Sequence, residues 1–175
     1  MKTKNLIMTA MFSVLITVGA FLKIPLFSIP ITCQSIFVLL AGLVLGAKRG
    51  AVSVLLYIVL GLLGLPVFSG GGGIMYVLQP TFGFLLGFCA SAFLFGYFCE
   101  KRKIYQKNIF LLSLLSMIPM YIIGTAYYML LMNFYFKESA GLLTTLYYCV
   151  LVFIPGDILK CIFTSVVALK IRGRI

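Results

Sequence analysis

There is no histidine and no tryptophan in these 175 residues, and only three acidic side chains, Glu100, Glu138 and Asp157. Without histidine the chain lacks the commonest general base and the commonest metal ligand. Three carboxylates are too few to furnish a two-carboxylate active site or an oxygen cage for magnesium. The five cysteines, Cys33, Cys89, Cys99, Cys149 and Cys161, have no paired metal-ligand spacing and read as small apolar residues. Charge of either sign makes up 10% of the chain, against 63% hydrophobic residues and a mean hydropathy of +1.19. No soluble core of this size calls for so much apolar sequence, so the class is an integral membrane protein.

What is there is apolar sequence in long runs, about 6–22, 31–47, 51–68, 80–98, 109–134 and 142–169. A spanning helix takes roughly 20 apolar residues, so these predict one all-α membrane domain of six transmembrane helices over residues 1–175. The net charge of +11 then reads as topology. With the N-terminus inside, Lys2, Lys4, Lys48, Arg49, Lys101, Arg102, Lys103, Lys107, Lys170, Arg172 and Arg174 are cytoplasmic. Only Lys23 and Lys137 face outward, and Lys160 lies within the membrane. Eleven against two is a strong positive-inside bias and puts both termini in the cytoplasm. The basic excess also attracts anionic lipid; there is no basic-aromatic face for nucleic acid.

The N-terminal run resembles a secretory signal, but it is long for one and reads as a retained helix. It carries Thr9, Ser13 and Thr17 at i, i+4 and i+8, beside Ala10, a small-residue stripe suited to close helix packing. The stripe suits packing inside the bundle and docking to another membrane subunit equally well. Gly46-Ala47-Lys48-Arg49 is no phosphate loop, because the glycine spacing is wrong and arginine stands where a hydroxyl would hold magnesium.

Asp157 and Lys160 sit inside the last apolar run, behind Pro155-Gly156. Three residues apart on a helix, they share a face. An ionisable residue at that depth is a functional-site candidate by default. The alternative is an ion pair locking two helices, although desolvation makes such a pair weak support for stability. Other polar features fall on the outer half. Gln34 opens the second span, and a buried amide there needs partners. Gly70 and Gly71 begin a four-glycine turn whose backbone N–H groups can approach a ligand. Gln79 precedes Pro80-Thr81 at the start of the fourth span. Phe68, Tyr76, Tyr127, Tyr128, Tyr147 and Tyr148 lie in or near the outer halves, where tyrosines form an interfacial belt or line a pocket.

Pro30-Ile31-Thr32-Cys33-Gln34, Gly64-Leu65-Pro66-Val67-Phe68-Ser69-Gly70-Gly71, Pro80-Thr81-Phe82-Gly83-Phe84 and Pro155-Gly156-Asp157-Ile158-Leu159-Lys160 together carry a resemblance. The chain resembles the BioY family, the biotin-specific S components of energy-coupling-factor (ECF) vitamin transporters, over nearly its whole length. The resemblance implies a non-enzymatic, biotin-binding subunit in the bacterial cell membrane, with its pocket near the outer face. It implies no cofactor of its own, biotin being the transported ligand and ATP being used by partners: a transmembrane coupling subunit and two cytoplasmic ATPases. A homo-oligomer is compatible with it. Asp157 would accept from the ureido N–H groups, and Lys160 would donate to the ureido oxygen or the carboxylate. Gln34 and Gln79 would add amide contacts, Gly70 and Gly71 would meet the carboxylate through backbone N–H, and Phe68, Tyr76 and Tyr127 would pack the ring and chain. Thr9, Ala10, Ser13 and Thr17 would dock the coupling subunit. The competing expectations are an autonomous proton-coupled transporter, against which no inverted repeat is evident, and a structural membrane bundle.

Overall fold

The computed structural model describes residues 3–24, 30–101, 108–137 and 141–172. Lys2, Arg102, Lys103, Lys107, Arg174 and Glu138, and residues 25–29 of the first outward loop, lie outside these. Helix α1 spans Thr3–Phe21 and is followed by a two-stranded antiparallel hairpin, β1 (Lys23–Ile24) and β2 (Ile31–Thr32), with Lys23 opposite Thr32. Then come α2 (Gln34–Leu45), α3 (Ala47–Leu62), a 3₁₀ turn at Ile74–Leu78, α4 (Phe82–Lys101) and α5 (Ile109–Leu130). A π-helical turn at Leu131–Tyr135 extends α5. The short helix α6 (Leu142–Leu146) runs through a second π turn, Tyr147–Leu151, towards α7 (Ile154–Arg172).

Taken with α6 and its π turn as the outer part of the last crossing, these are six membrane-crossing segments. Four are long and apolar enough to cross by themselves: Thr3–Phe21, Phe82–Glu100, Ile109–Tyr135 and Leu142–Ile171. The 12-residue α2 and 16-residue α3 are shorter than the expected runs 31–47 and 51–68. At 1.5 Å per residue α2 covers about 18 Å of a hydrocarbon layer about 30 Å thick. The helix α3 begins at Ala47 because Lys48 and Arg49 remain at the cytoplasmic interface. It stops at Leu62, where Gly64 (φ 104°) and Pro66 prevent continuation. Phe68 therefore stands in the outer loop rather than at a helix end.

The centre of the bundle is α4, which packs against α2, α3 and α5; α1 covers α2 and α3, and α7 closes on α5 and α2. Small residues permit the approach, as membrane helices without a hydrophobic driving force require. A Cβ on Gly42 would lie 2.4 Å from the Ala92 carbonyl oxygen, and one on Gly96 would lie 2.5 Å from the Ala47 nitrogen. The α2–α3 connection is the single residue Gly46 (φ 82°), and the Glu100 carboxylate accepts the Ala47 N–H at 3.1 Å. That acid faces the positive end of α3, a stabilising position for negative charge. The large exposed side chains are apolar along α1 (Leu6, Ile7, Met11, Val14, Val18) and α7 (Leu159, Ile162, Phe163, Val166). Those faces suit contact with lipid tails.

Thr9 and Ser13 point inward. Both are buried, and the Ser13 hydroxyl donates to the Ser53 carbonyl oxygen at 2.7 Å, joining α1 to α3. Ala10 stands on the exposed side of α1 and Thr17 is half-buried. A docking surface expected on all four residues is therefore divided: hydroxyl-bearing Thr9 and Ser13 serve the bundle, because their polar atoms are satisfied there.

Candidate functional site

A cavity opens between the outer ends of the helices. Its walls come from five parts of the chain. The hairpin and the start of α2 contribute Pro30, Thr32, Gln34 and Ser35. The loop after α3 and the turn into α4 contribute Ser69, Tyr76 and Thr81; α4 adds Phe84, Leu85 and Phe88. Helix α5 contributes Met120 and Tyr121, and α7 with the turn before it contributes Asp157 and Phe153. The first turn of α2, which begins at Gln34, forms part of the wall.

Asp157 reaches the cavity because of how α7 begins. Pro155 is the second residue of that helix, where a missing N–H costs no bond and the fixed φ suits helix initiation. The preceding π turn ends at Leu151, so the chain interrupts its helix just before Pro155. Asp157 then falls in the first turn of α7, where the helix dipole favours negative charge. It is 5% exposed, and both carboxylate oxygens are held. Lys160 Nζ donates to Oδ1 at 2.7 Å, and the Tyr121 hydroxyl donates to Oδ2. A carboxylate oxygen can accept more than one bond, so each keeps capacity for a ligand N–H.

The remaining expected residues divide into those at the cavity and those behind it. Gln34, 4% exposed, accepts from Thr32 Oγ1 through Oε1 at 3.0 Å and donates from Nε2 to the Tyr57 hydroxyl at 2.9 Å. Tyr76 places its hydroxyl against Thr81 Oγ1 at 3.1 Å and Ser69 Oγ at 3.2 Å, a cluster of three hydroxyls on one wall. Lys160 is not a lining residue; it holds Asp157 from outside the cavity. Phe68 is fully buried behind Tyr76, with ring centroids 4.3 Å apart, and braces it against Tyr57. Tyr127 donates its hydroxyl to the Val77 carbonyl and packs on Phe82, which anchors the outer loop to α5. Gln79 and Gly70 are exposed at the loop surface.

Gly71 does not offer the free backbone N–H expected of it. A tight hairpin links Phe68 N–H to the Gly71 carbonyl at 2.9 Å and Gly71 N–H to the Phe68 carbonyl at 3.2 Å. Gly73 N–H is likewise taken by the Gly61 carbonyl at 2.7 Å. The glycines shape the loop, two of them with positive φ (Gly71 118°, Gly73 103°), and the loop's hydroxyls line the cavity. Lys23 donates to the Ser69 carbonyl, so the first outer loop is tied to the second.

Sequence reasoning passed over Tyr121, Ser35, Thr32 and the apolar wall Phe84, Leu85, Phe88, Met120 and Phe153. A signal existed for Tyr121. A phenol deep in an apolar helix needs a hydrogen-bond partner, and Asp157 is the one carboxylate in the apolar run of the last span.

A six-span bundle with a half-polar, half-apolar cavity under its outer loops belongs to the class of membrane proteins that capture a small solute from outside. The family follows from comparison with known proteins. A model of the BioY family matches residues 1–175, and the chain belongs to that family. It is 46% identical over 140 residues to the probable biotin transporter BioY of Lysinibacillus sphaericus, covering 79% of this chain and 71% of that one. It is 37% identical over 174 residues to the probable biotin transporter BioY of Pyrococcus horikoshii, covering 99% of each. The crystal structure of the S-component for biotin from an ECF-type ABC transporter superposes with a TM-score of 0.82. That match has 31% identity and covers 98% of this chain and 92% of the other.

Proposed function

We infer that this protein is the biotin-binding subunit of an ECF-type uptake transporter, and that the cavity under its outer loops is the biotin site. The observation that carries the reading is Asp157, buried in the last membrane span, facing the cavity, and held by Lys160 and Tyr121. Biotin presents two ureido N–H donors, an apolar sulfur ring and a carboxylate tail. Asp157 accepts from the ureido N–H groups, forming the charge-assisted bonds that contribute most to selectivity. Phe84, Leu85, Phe88, Met120 and Phe153 cover the ring and chain. The tail runs towards the hydroxyls of Ser69, Tyr76 and Thr81, with Lys23 at the rim. Lys160 acts by orienting Asp157 through their ion pair rather than by touching the ligand.

No bond of the ligand is made or broken, so the protein binds and releases. Movement across the membrane draws on ATP hydrolysed by two cytoplasmic ATPases and relayed by a transmembrane coupling subunit. The outward face of α1 around Ala10, the small residue where another helix can approach closest, is the docking face.

The test is a ligand panel on the purified protein in detergent, read by thermal unfolding and equilibrium binding. Biotin and desthiobiotin, which share the ureido ring and carboxylate, raise the melting temperature; thiamine and riboflavin do not. A ligand at a hundred times its Kd stabilises the folded state by about 2.7 kcal/mol. Stabilisation by thiamine or riboflavin in place of biotin would overturn the assignment.

A further inference from the structure

The cavity's polar wall contains one hydroxyl with no hydrogen-bond partner among the described residues. Ser35 lines the cavity, is 2% exposed, and its Oγ has no hydrogen-bond partner. Among the described residues, Ser91, Thr125 and Thr164 also carry buried unpaired hydroxyls. Each of those lies well inside a helix, where the carbonyl one turn upstream accepts from Ser or Thr after a side-chain rotation. None of the three lines the cavity. Ser35 lacks that escape. It is the second residue of α2, and the residues four and three positions before it, Ile31 and Thr32, form the β2 strand.

Each neighbouring polar group has a partner within the protein, although Gln34 Nε2 keeps a second hydrogen. Gln34 bonds Thr32 and Tyr57, the Tyr76 hydroxyl bonds both Ser69 and Thr81, and Tyr121 bonds Asp157. Lys160, the sequence's candidate donor for the ureido oxygen, does not reach the cavity wall. A ureido ring held through its N–H groups by Asp157 still needs a donor for its carbonyl oxygen, because a buried acceptor left unmatched is unfavourable. Helices α2 and α7 pack against each other, so Ser35 and Asp157 stand on adjoining walls.

We propose that Ser35 is a specificity residue that donates its hydroxyl hydrogen to the ureido carbonyl oxygen of biotin. The assignment rests on the biotin reading of the cavity. It gives the ureido ring an acceptor in Asp157 for its N–H groups and a donor in Ser35 for its oxygen.

The experiment is equilibrium binding to the full-length protein in detergent, wild type and Ser35→Ala, with biotin, desthiobiotin and 2-iminobiotin. The last replaces the ureido oxygen with an imine nitrogen that is protonated at neutral pH, and in that form it cannot accept. Ser35→Ala weakens biotin and desthiobiotin by about tenfold and 2-iminobiotin by less than about twofold. Its melting temperature without ligand equals or exceeds that of wild type, since no bond within the protein is lost. Ser35→Cys, similar in size with a weaker donor, falls between Ser and Ala for biotin. Wild-type affinity for biotin in Ser35→Ala overturns the assignment, as does an equal loss for 2-iminobiotin or a larger loss in Cys than in Ala. A wild-type protein that binds no biotin overturns the reading of the cavity itself, before any variant is compared.

Discussion

Asp157 carries a charge in a place where charge is costly, and its surroundings explain why it stays there. Lys160 supplies the counter-charge one helical turn away, Tyr121 supplies a donor from α5, and the first turn of α7 supplies favourable dipole. The pair was legible in sequence because two charges three residues apart interrupt an apolar run. Which partner faces the cavity was not, since an i, i+3 spacing fixes a shared helix face and leaves the neighbours of that face undetermined. The two roles separate by mutation. Asp157→Asn keeps the shape, removes the charged acceptor and leaves Lys160 unmatched. At about 1.5–3 kcal/mol for each bond to a charged group, biotin affinity falls at least about a hundredfold. Tyr121→Phe removes only a brace, and affinity falls about five- to tenfold. Lys160→Ala leaves Asp157 without its cation and falls between the two. Isothermal titration on the purified variants gives the order, and a Tyr121→Phe loss as large as that of Asp157→Asn would make Tyr121 a ligand contact rather than a brace.

At the level of elements, six spans were legible because hydropathy and basic residues repeat along the chain with the bilayer's own period. Their ends were less so. Sequence extended α3 to residue 68 because Leu65, Val67 and Phe68 are apolar, while the structure turns at Gly64 and folds Phe68 back under the loop. The small-residue stripe of α1 was ambiguous for a related reason. Small residues favour any close contact, and the sequence does not say with whom. The structure divides it, with Ser13 bonded to Ser53 and Ala10 among exposed Leu6, Ile7 and Met11. Substitutions on the two faces have different consequences. Ser13→Leu overpacks the α1–α3 contact, at about 1–3 kcal/mol, and lowers the melting temperature of the isolated protein. Ala10→Trp leaves melting temperature and biotin affinity unchanged, but lowers uptake and co-purification with a coupling subunit. Normal uptake by the Ala10→Trp variant would move the docking face away from this side of α1.

For the whole molecule, the question is where the energy for transport comes from. The glycine-mediated crossing of α2, α3 and α4 at the cytoplasmic end, with Glu100 fixed on the α3 N-terminus, makes that end closely packed, while the cavity and its loops occupy the outer end. A molecule open on one side and tightly packed on the other binds from outside and needs help to release inside. An autonomous proton-coupled carrier would instead use Asp157 as its titrating site, and its accumulation of substrate would collapse with the proton gradient. The two mechanisms give opposite results in cells lacking every other route for biotin. Expressed alone, this protein binds biotin at the cell surface without accumulating it. Expressed with a coupling subunit and its ATPases, it accumulates biotin, and a catalytically dead ATPase abolishes that uptake even when the proton gradient is intact. Uncoupler-sensitive accumulation by the protein alone would assign the driving force to protons and make Asp157 a coupling residue as well as a ligand contact.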